Sequence, residues 1–215
     1  MTRIALLLAL LTSVADAEPN DEAALGSWVR ALHAPSANAV TDRPLGGGTF
    51  AYAREVIPQL VVPGLSLWGV GTVGFGGAGG TMFQTMTTSI DYAEVTVGAR
   101  ARYRAWRFLE AGARIDAGTT RVALAIDAGG QSYRDHGWGA ISAAALSLDL
   151  LPYAGKGFAF GFRGELGYAT TSAIGLVPRM DRPDDGTIEL PMTRASLGHL
   201  DLGGKYLTFT LFARF

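Results

Sequence analysis

The segment Gly69-Val-Gly-Thr-Val-Gly74 has the G-x-G-x-x-G spacing that cradles a dinucleotide pyrophosphate. Asp91 lies near the place of the carboxylate that binds the ribose. This chemistry requires a helix that begins at the third glycine and points its N-terminus at the phosphates. The residues that follow, Phe75-Gly-Gly-Ala-Gly-Gly80, favour a loop over a helix. We therefore expect no nucleotide cofactor.

Three histidines are the next candidates for chemistry, because imidazole titrates near neutral pH. His33, His136 and His199 are far apart in the sequence, and Asp135 comes directly before His136. Adjacent side chains on a strand point to opposite faces, so this Asp–His neighbourhood does not predict a catalytic pair. We expect polar surface residues and no enzyme, while the sequence alone leaves open whether the three histidines do chemistry.

Metal and nucleic-acid sites have little support in the sequence. Asp181, Asp184 and Asp185 supply carboxylates, but Pro183 interrupts them and their spacing is not that of a calcium loop. The chain has no cysteine, so it has neither thiolate ligands nor a disulfide framework. Its net charge of −1 does not suggest a nucleic-acid partner. We expect no metal and no cofactor.

The densest charge pattern occurs at alternate positions of extended segments. In the stretch from Ile90 to Trp106, the apolar side chains from Ala93 to Tyr103 occupy one face and charged side chains the other. Similar runs follow in later segments. The charged face of all these segments consists of Glu94, Arg100, Arg102, Arg104, Glu110, Arg114, Asp116, Asp149, Arg163, Glu165 and Arg214.

Eight segments of this kind predict eight strands, and 29 glycines among them suit turns and strands. The strongest local prediction is a hairpin, because two alternating runs meet at Arg107 with almost no connection. The number of strands rises from eight to ten if Thr120–Asp135 forms a further hairpin that enters the membrane. The eight predicted strands are Leu25–His33, Gly48–Ile57, Leu65–Phe75, Ile90–Trp106, Phe108–Thr119, Gly137–Leu150, Phe158–Thr171 and Lys205–Phe215.

The connections between these strands alternate in length. Short ones are predicted at 58–64, 106–107 and 151–157, and long ones at 34–47, 76–89, 120–135 and 172–204. Outer-membrane barrels have the same asymmetry, with short periplasmic turns and longer external loops. The fold class is therefore predicted as all-β, a closed up-and-down antiparallel barrel.

The first residues have the composition of a secretory signal peptide. Thr2-Arg3 is a short basic start, Ile4–Leu11 an apolar run, and Ala15-Asp-Ala17 a small-residue cleavage site. The run is too short for a spanning helix, which needs roughly 20 apolar residues. We expect residues 1–17 to be removed and residues 18–215 to form one domain.

The last eleven residues form an amphipathic strand that ends on an aromatic residue. Leu207, Phe209, Leu211, Ala213 and Phe215 fall on one face, and Tyr206, Thr208, Thr210, Phe212 and Arg214 on the other. Together with the signal peptide and the Leu- and Phe-rich strands, this ending resembles the small eight-stranded outer-membrane barrels of the OmpA/OmpX type. The resemblance covers the chain from about Leu25 to Phe215.

This resemblance implies a monomer in the bacterial outer membrane, in contact with lipid and inserted by the barrel-assembly machinery. The residues that match the insertion signal are Tyr206, Phe209, Leu211 and Phe215. No peptidoglycan-binding domain follows, so that role of the family is not carried over. Some outer-membrane barrels modify lipid A with a rim histidine and serine, but their spacing of the two residues is absent here.

Alternation alone does not decide which face points inward. A soluble periplasmic carrier of the lipocalin kind would place the apolar face inside, whereas a membrane barrel places it against lipid. The charged face carries six arginines and five carboxylates, so its formal charges nearly cancel. A narrow lumen filled by ions requires such a balance. We therefore predict a transmembrane barrel with a plugged lumen, in a structural or surface-interaction role.

The alternation leaves the registers of strands one to three open, because Arg54 and Glu55 are adjacent and Trp68 and Val70 fall on the charged face. Aromatic girdles are expected from Trp28, Trp68, Trp106, Trp138, Tyr92, Tyr103, Tyr153 and Tyr168.

Overall fold

Eight long strands make up most of the chain. The computed structural model describes residues 20–58, 60, 62–82, 85–128, 131–155, 157–177, 179–180 and 198–215, so the predicted signal peptide lies outside the described residues. The long strands are β1 (Asp21–Leu32), β2 (Leu45–Ile57), β3 (Leu65–Met82), β4 (Met86–Trp106), β5 (Leu109–Ala128), β6 (Gln131–Ala154), β7 (Ala159–Thr171) and β11 (Gly204–Arg214).

These strands close into a barrel. Each pairs antiparallel with its neighbour in the chain from β1 to β7, and β11 pairs with both β7 and β1 to complete the ring. The Asp21 amide donates to the Phe215 carbonyl at 3.0 Å, and the Phe215 amide donates to the Asp21 carbonyl at 2.9 Å. Among the described residues, closure leaves no unpaired sheet edge where all eight strands overlap. The predicted all-β barrel is confirmed, and it has eight strands rather than ten.

The two ends of the barrel differ. The terminal end holds Asp21, Phe215 and the short turns that follow β2, β4 and β6. In the first of these turns Gly64 has a φ of 82°, a conformation that favours glycine. The opposite end is called the loop end.

At the loop end, strands continue through two predicted connections, so the predicted loop 76–89 is wrong, whereas 120–135 forms the hairpin that the sequence left open. The glycine-rich stretch after Phe75 belongs to β3, and the stretch after Thr119 belongs to β5 and β6. A Cβ on Gly77 would lie 2.3 Å from the carbonyl oxygen of Ile90, so the close approach of β3 and β4 there requires glycine. The glycines that suggested a flexible loop instead permit a tight ladder.

Short elements cover the loop end. One helical turn, α1 (Pro35–Asn38), follows β1. Two-residue strands follow β7: β8 (Ile174–Gly175) pairs with β10 (His199–Leu200), and β9 (Arg179–Met180) pairs with β6. None of the helices in the described ranges is long and apolar enough to cross a membrane.

Candidate functional site

The outer wall of the barrel is apolar over most of its height. Val97, Ile115 and Leu146 point outward and are 68%, 67% and 70% exposed. On β11 the outward residues from Leu207 to Phe215 carry no charge over nine positions, close to the roughly 9–11 residues of a tilted membrane strand. A lipocalin-like carrier needs the opposite arrangement, with the apolar face inside. That alternative is therefore wrong for this barrel.

The interior of the same wall is ionic. Within the described residues, six arginines and six carboxylates are enclosed, so their formal charges cancel. The charged interior consists of Arg30, Arg100, Arg102, Arg114, Arg163 and Arg214 with Glu22, Glu94, Glu110, Asp116, Asp149 and Glu165. Burial of ions is tolerated only when each is paired and hydrogen-bonded.

Arg163 lies at the centre of the lower part of this interior, near the terminal end. Its Nε and Nη2 donate to the two Asp149 oxygens at 2.8 and 2.7 Å, and its Nη1 and Nη2 donate to the two Glu22 oxygens at 2.8 and 3.0 Å. All three side chains are 1% exposed. Such fork-shaped pairing is among the strongest kinds of ionic hydrogen bond, and here it ties β7 to β6 and, past β11, to β1.

Arg214 extends the same cluster across the closure of the barrel. It donates to Glu110 at 3.0 and 2.6 Å and to Glu22 at 3.0 Å. Glu22 thus accepts from β7 and β11 at once, and Arg102 Nη2 lies 2.6 Å from its Oε2. Ion pairs therefore link β11 to β1, the two strands that close the barrel.

Apolar side chains of β2 and β3 form the remaining wall of the lumen. Trp68 and Val70 are buried, and they pack with Ala53. The Arg102 guanidinium lies 4.2 Å from the centre of the Trp68 ring, a cation–π contact. The two residues that broke the predicted alternation thus point inward and provide a surface on which an arginine stacks.

A second cluster lies in the middle of the barrel. Arg100 Nη2 donates to Glu165 Oε1 at 2.6 Å. Arg114 Nε lies 2.6 Å from Asp116 Oδ2, and Arg114 Nη1 lies 3.3 Å from the second Glu165 oxygen. Glu165 therefore bridges an arginine of β4 and an arginine of β5.

A third cluster surrounds Arg30 above the other two. Arg30 donates to the Tyr92 hydroxyl at 2.7 Å and to Glu94 at 3.1 Å, and the Tyr92 hydroxyl also donates to Glu94. Its guanidinium lies between 5.1 and 5.9 Å from the rings of Trp28, Tyr92 and Tyr206. Arg30 therefore has one carboxylate partner, Glu94, and aromatic rings surround the rest of its guanidinium.

The structure brings together ten of the eleven predicted lumen residues. The exception is Arg104, whose side chain is 61% exposed at the terminal end, although its Nε still donates to Glu110 at 3.0 Å. Arg104 still lies opposite Glu110 in the regular register, but this is the last regular pair before the β4–β5 turn, so Arg104 lies at the rim of the barrel. Sequence reasoning missed Glu22 and Arg30, both on β1.

The charged interior leaves little open space. Between the Arg30 cluster and the middle cluster is a cavity of about 30 Å³, which has room for an enclosed water molecule. The hydroxyls of Thr72, Thr210 and Tyr206 line it and have no hydrogen-bond partner among the described residues. Below it, Arg163 and Phe212 stack at 4.6 Å and fill the lumen. Side chains plug the barrel.

Towards the loop end the polarity of the wall inverts. On β5, Val122, Leu124 and Ile126 are buried, whereas Arg121 and Asp127 face outward and are exposed. The enclosed apolar cluster continues across the other strands and the covering elements, with Trp28, Ala37, Val40, Leu45, Met82, Ile90, Tyr92, Ile174, Leu176, Leu200 and Leu202. This part of the barrel has the pattern of a protein in water, so the change of parity marks where the apolar outer band ends.

The C-terminal residues lie on both faces of β11. Phe209 and Leu211 point outward and are exposed, Tyr206 points into the lumen, and Phe215 pairs with Asp21 at the terminal end.

The aromatic residues divide between the wall and the core. Trp106, Tyr103 and Tyr153 are exposed on the outside near the terminal end, and Trp138 and Tyr168 are exposed on the outside nearer the loop end. The expected girdle positions of Trp28, Trp68 and Tyr92 are wrong, because all three are buried inside.

The other candidates for chemistry are not assembled into a site. His33, His136 and His199 are exposed on separate elements, and the described residues contain no group of three or more His, Asp or Glu that could hold a metal. Residues 69–74, which matched the dinucleotide pattern, lie within β3 with no helix after them. Asp181, Asp184 and Asp185 lie outside the described residues.

No protein-family model and no curated protein matches the chain. Among solved structures, the chain is similar to Ail, the attachment invasion locus protein of Yersinia pestis, with 14% identity and a TM-score of 0.46. It is also similar to the same protein in complex with the heparin analogue sucrose octasulfate, with 14% identity and a TM-score of 0.48. Each match covers 92% of this chain and 98% of the other.

Proposed function

We propose that the protein is an integral barrel of the bacterial outer membrane with a structural or surface-interaction role. The observation that carries this proposal is the outward apolar band, with Val97, Ile115 and Leu146 about two-thirds exposed around a balanced ionic core. Exposing this many large apolar side chains to water would be costly, at roughly 25 cal/mol per Å² of apolar surface. Hydrocarbon solvates such a band, and the closed ladder satisfies its backbone groups.

We propose no transport role, because side chains fill the lumen of the barrel. Three ion pairs cross the lumen, Arg100–Glu165, Arg102–Glu22 and Arg214–Glu110, and opening a path between them would separate buried charges. The terminal end is then the periplasmic end, and the covered loop end faces outward, where α1 and β8–β10 offer a surface for interactions. No reaction is assigned, and the protein is proposed to act as a monomer.

Export and insertion are part of the proposal. Residues 1–17 would direct secretion and be removed, and the strand ending in Phe215 would be recognised by the barrel-assembly machinery. Because Phe209, Leu211 and Phe215 lie on the outward side of β11, that face is open to a partner before the barrel closes. Lipid of the outer membrane then covers the same face.

Fractionation of cells that express the protein tests this function. We expect it in the outer-membrane fraction, released by detergent but not by carbonate or urea washes, and migrating faster on a gel without boiling than after boiling. A matched variant, Val97→Asp, places a charge in the apolar band and should reduce the folded, fast-migrating species. Release of the wild-type chain with the soluble periplasmic fraction would overturn the proposal.

A further inference from the structure

A concave site lies on the outside of the barrel just above the apolar band. It has a volume of about 700 Å³, within the size range of small-molecule sites, and it spans the outer faces of β5 and β6. Its lining includes Arg121, Arg134 and His136, with Ala123 and Ala125 as neighbours on the same face.

The register of the two strands fixes how the basic residues are arranged. Arg121 lies directly across from Trp138, His136 across from Ala123, and Arg134 across from Ala125. Arg121 and His136 are therefore diagonal neighbours, which places their Cα atoms about 7–8 Å apart. The two alanines leave the space between the three basic side chains unfilled.

Among the residues that line the site, two arginines outnumber the single carboxylate, Asp135. Arg121 is exposed and forms no ion pair within the described part of the chain. Asp135 also lines the site, but its Oδ2 accepts a hydrogen bond from the Val177 amide at 2.6 Å. Two exposed carboxylates border the site, Asp91 across from Ala123 on β4 and Asp127 diagonal to Arg134 on β5. Arginine forks match phosphate oxygens in geometry and charge.

The position of the site identifies where the anion comes from. Trp138 is exposed on the outside directly beside Arg121, and tryptophan at such a place sits at headgroup level. Below it on β6, the outward residues Leu146, Leu148 and Leu150 belong to the apolar band. Arg121 and His136 thus lie one step above the hydrocarbon, at the height of lipid phosphates.

We propose that Arg121, Arg134 and His136 form a binding site for the phosphorylated headgroup of an outer-leaflet lipid. The inference rests on the proposed function, because it requires the apolar band to sit in the outer membrane. The site would hold one lipid beside β5 and β6 and leave the opposite wall, around β1 and β11, without a bound headgroup.

Native mass spectrometry of the folded protein in detergent, titrated with bis-phosphorylated lipid A, tests the site. The double variant Arg121→Gln/His136→Gln should bind the first lipid about five- to tenfold more weakly than wild type, as expected when about 1 kcal/mol or slightly more is lost. The matched control, His33→Gln/Lys205→Gln, changes the same kinds of exposed residue on the other side of the loop end and should bind like wild type.

Several outcomes would overturn the site. These are unchanged affinity of the double variant, an equal loss in the control variant, and equal binding of lipid A from which the phosphates have been removed. Binding of inorganic phosphate as tightly as the lipid would reassign the site to a soluble anion and overturn it as well. A wild-type chain that is folded by gel mobility but shows no phosphate dependence counts against this site alone. A chain that never folds in detergent counts against the proposed function.

Discussion

Replacement of Arg163 by methionine is the most informative perturbation of the charged interior. The substitution keeps much of the side-chain volume and removes four hydrogen bonds of 2.7 to 3.0 Å to Glu22 and Asp149. Removing one partner from a buried ionic pair costs about 3–5 kcal/mol, because the remaining charge stays desolvated.

The neighbours of Arg163 set the expected value within that range. Glu22 keeps contacts to Arg102 at 2.6 Å and to Arg214 at 3.0 Å, and Asp149 keeps Arg214 at 3.3 Å. Both carboxylates are therefore still partly neutralised. We predict that Arg163→Met lowers the free energy of unfolding by about 3 kcal/mol.

Urea unfolding in lipid vesicles, followed by tryptophan fluorescence and by gel mobility, measures this loss. Arg54→Met is the control, since Arg54 is 71% exposed and lies 4.0 Å from Asp21, and it should cost less than about 0.5 kcal/mol. Adding Asp149→Asn to Arg163→Met should recover at least about 1 kcal/mol, because it removes a buried carboxylate that has lost its closest arginine. A loss below about 1 kcal/mol for Arg163→Met would refute the ionic account of the lumen.

Three further predictions concern packing, assembly and conductance. Gly98→Val should destabilise the barrel by about 1–3 kcal/mol, because a Cβ there would lie 2.1 Å from the Ile115 carbonyl oxygen. Gly71→Ala is the control: a Cβ at Gly71 meets nothing within 4 Å, so this variant should unfold like wild type in urea. Deletion of Phe215 should lower the fraction of chain assembled in cells, measured by gel mobility, while Phe50→Ala, an outward aromatic away from the terminus, should not; equal assembly of the two would contradict a role in insertion. Planar-bilayer recordings should show no stable large open-channel currents, and such currents would contradict a side-chain plug.

Strand alternation made the barrel and most of its interior predictable. The period of two in β4 and β5 separates lipid-facing from lumen-facing residues without knowledge of the tertiary structure. Ten of the eleven predicted lumen residues are enclosed for this reason. Arg104 is the exception, because it lies in the last regular pair before the β4–β5 turn, and alternation does not show how far along a strand the enclosed lumen extends.

Glu22 and Arg30 were missed because β1 lacks clean alternation. Asp21 and Glu22 are adjacent acids, and the alanines and glycine that follow carry no facial signal. Their inward placement depends on pairing with β11, nearly the whole chain away, as in Glu22 opposite Arg214. Contacts of such sequence separation cannot be inferred from local periodicity.

The inversion of polarity at the loop end did leave a signal. Apolar residues occupy odd positions from Leu109 to Ala117 on β5 and even positions from Val122 to Ile126. A switch of parity within one extended run means that the apolar residues change face. The switch of parity in β5 therefore indicates both that the strand is longer and where the apolar band ends.

Spin labels at two adjacent positions of β4 test most directly whether the apolar face meets lipid. The chain has no cysteine, so Val97→Cys and Thr96→Cys each provide a unique attachment site. In reconstituted vesicles, a label at Val97→Cys should be relaxed more by lipid-soluble oxygen than by a water-soluble nickel complex, and Thr96→Cys should label poorly because that position is enclosed. Stronger relaxation by the nickel complex at Val97→Cys, together with ready labelling of Thr96→Cys, would contradict the account.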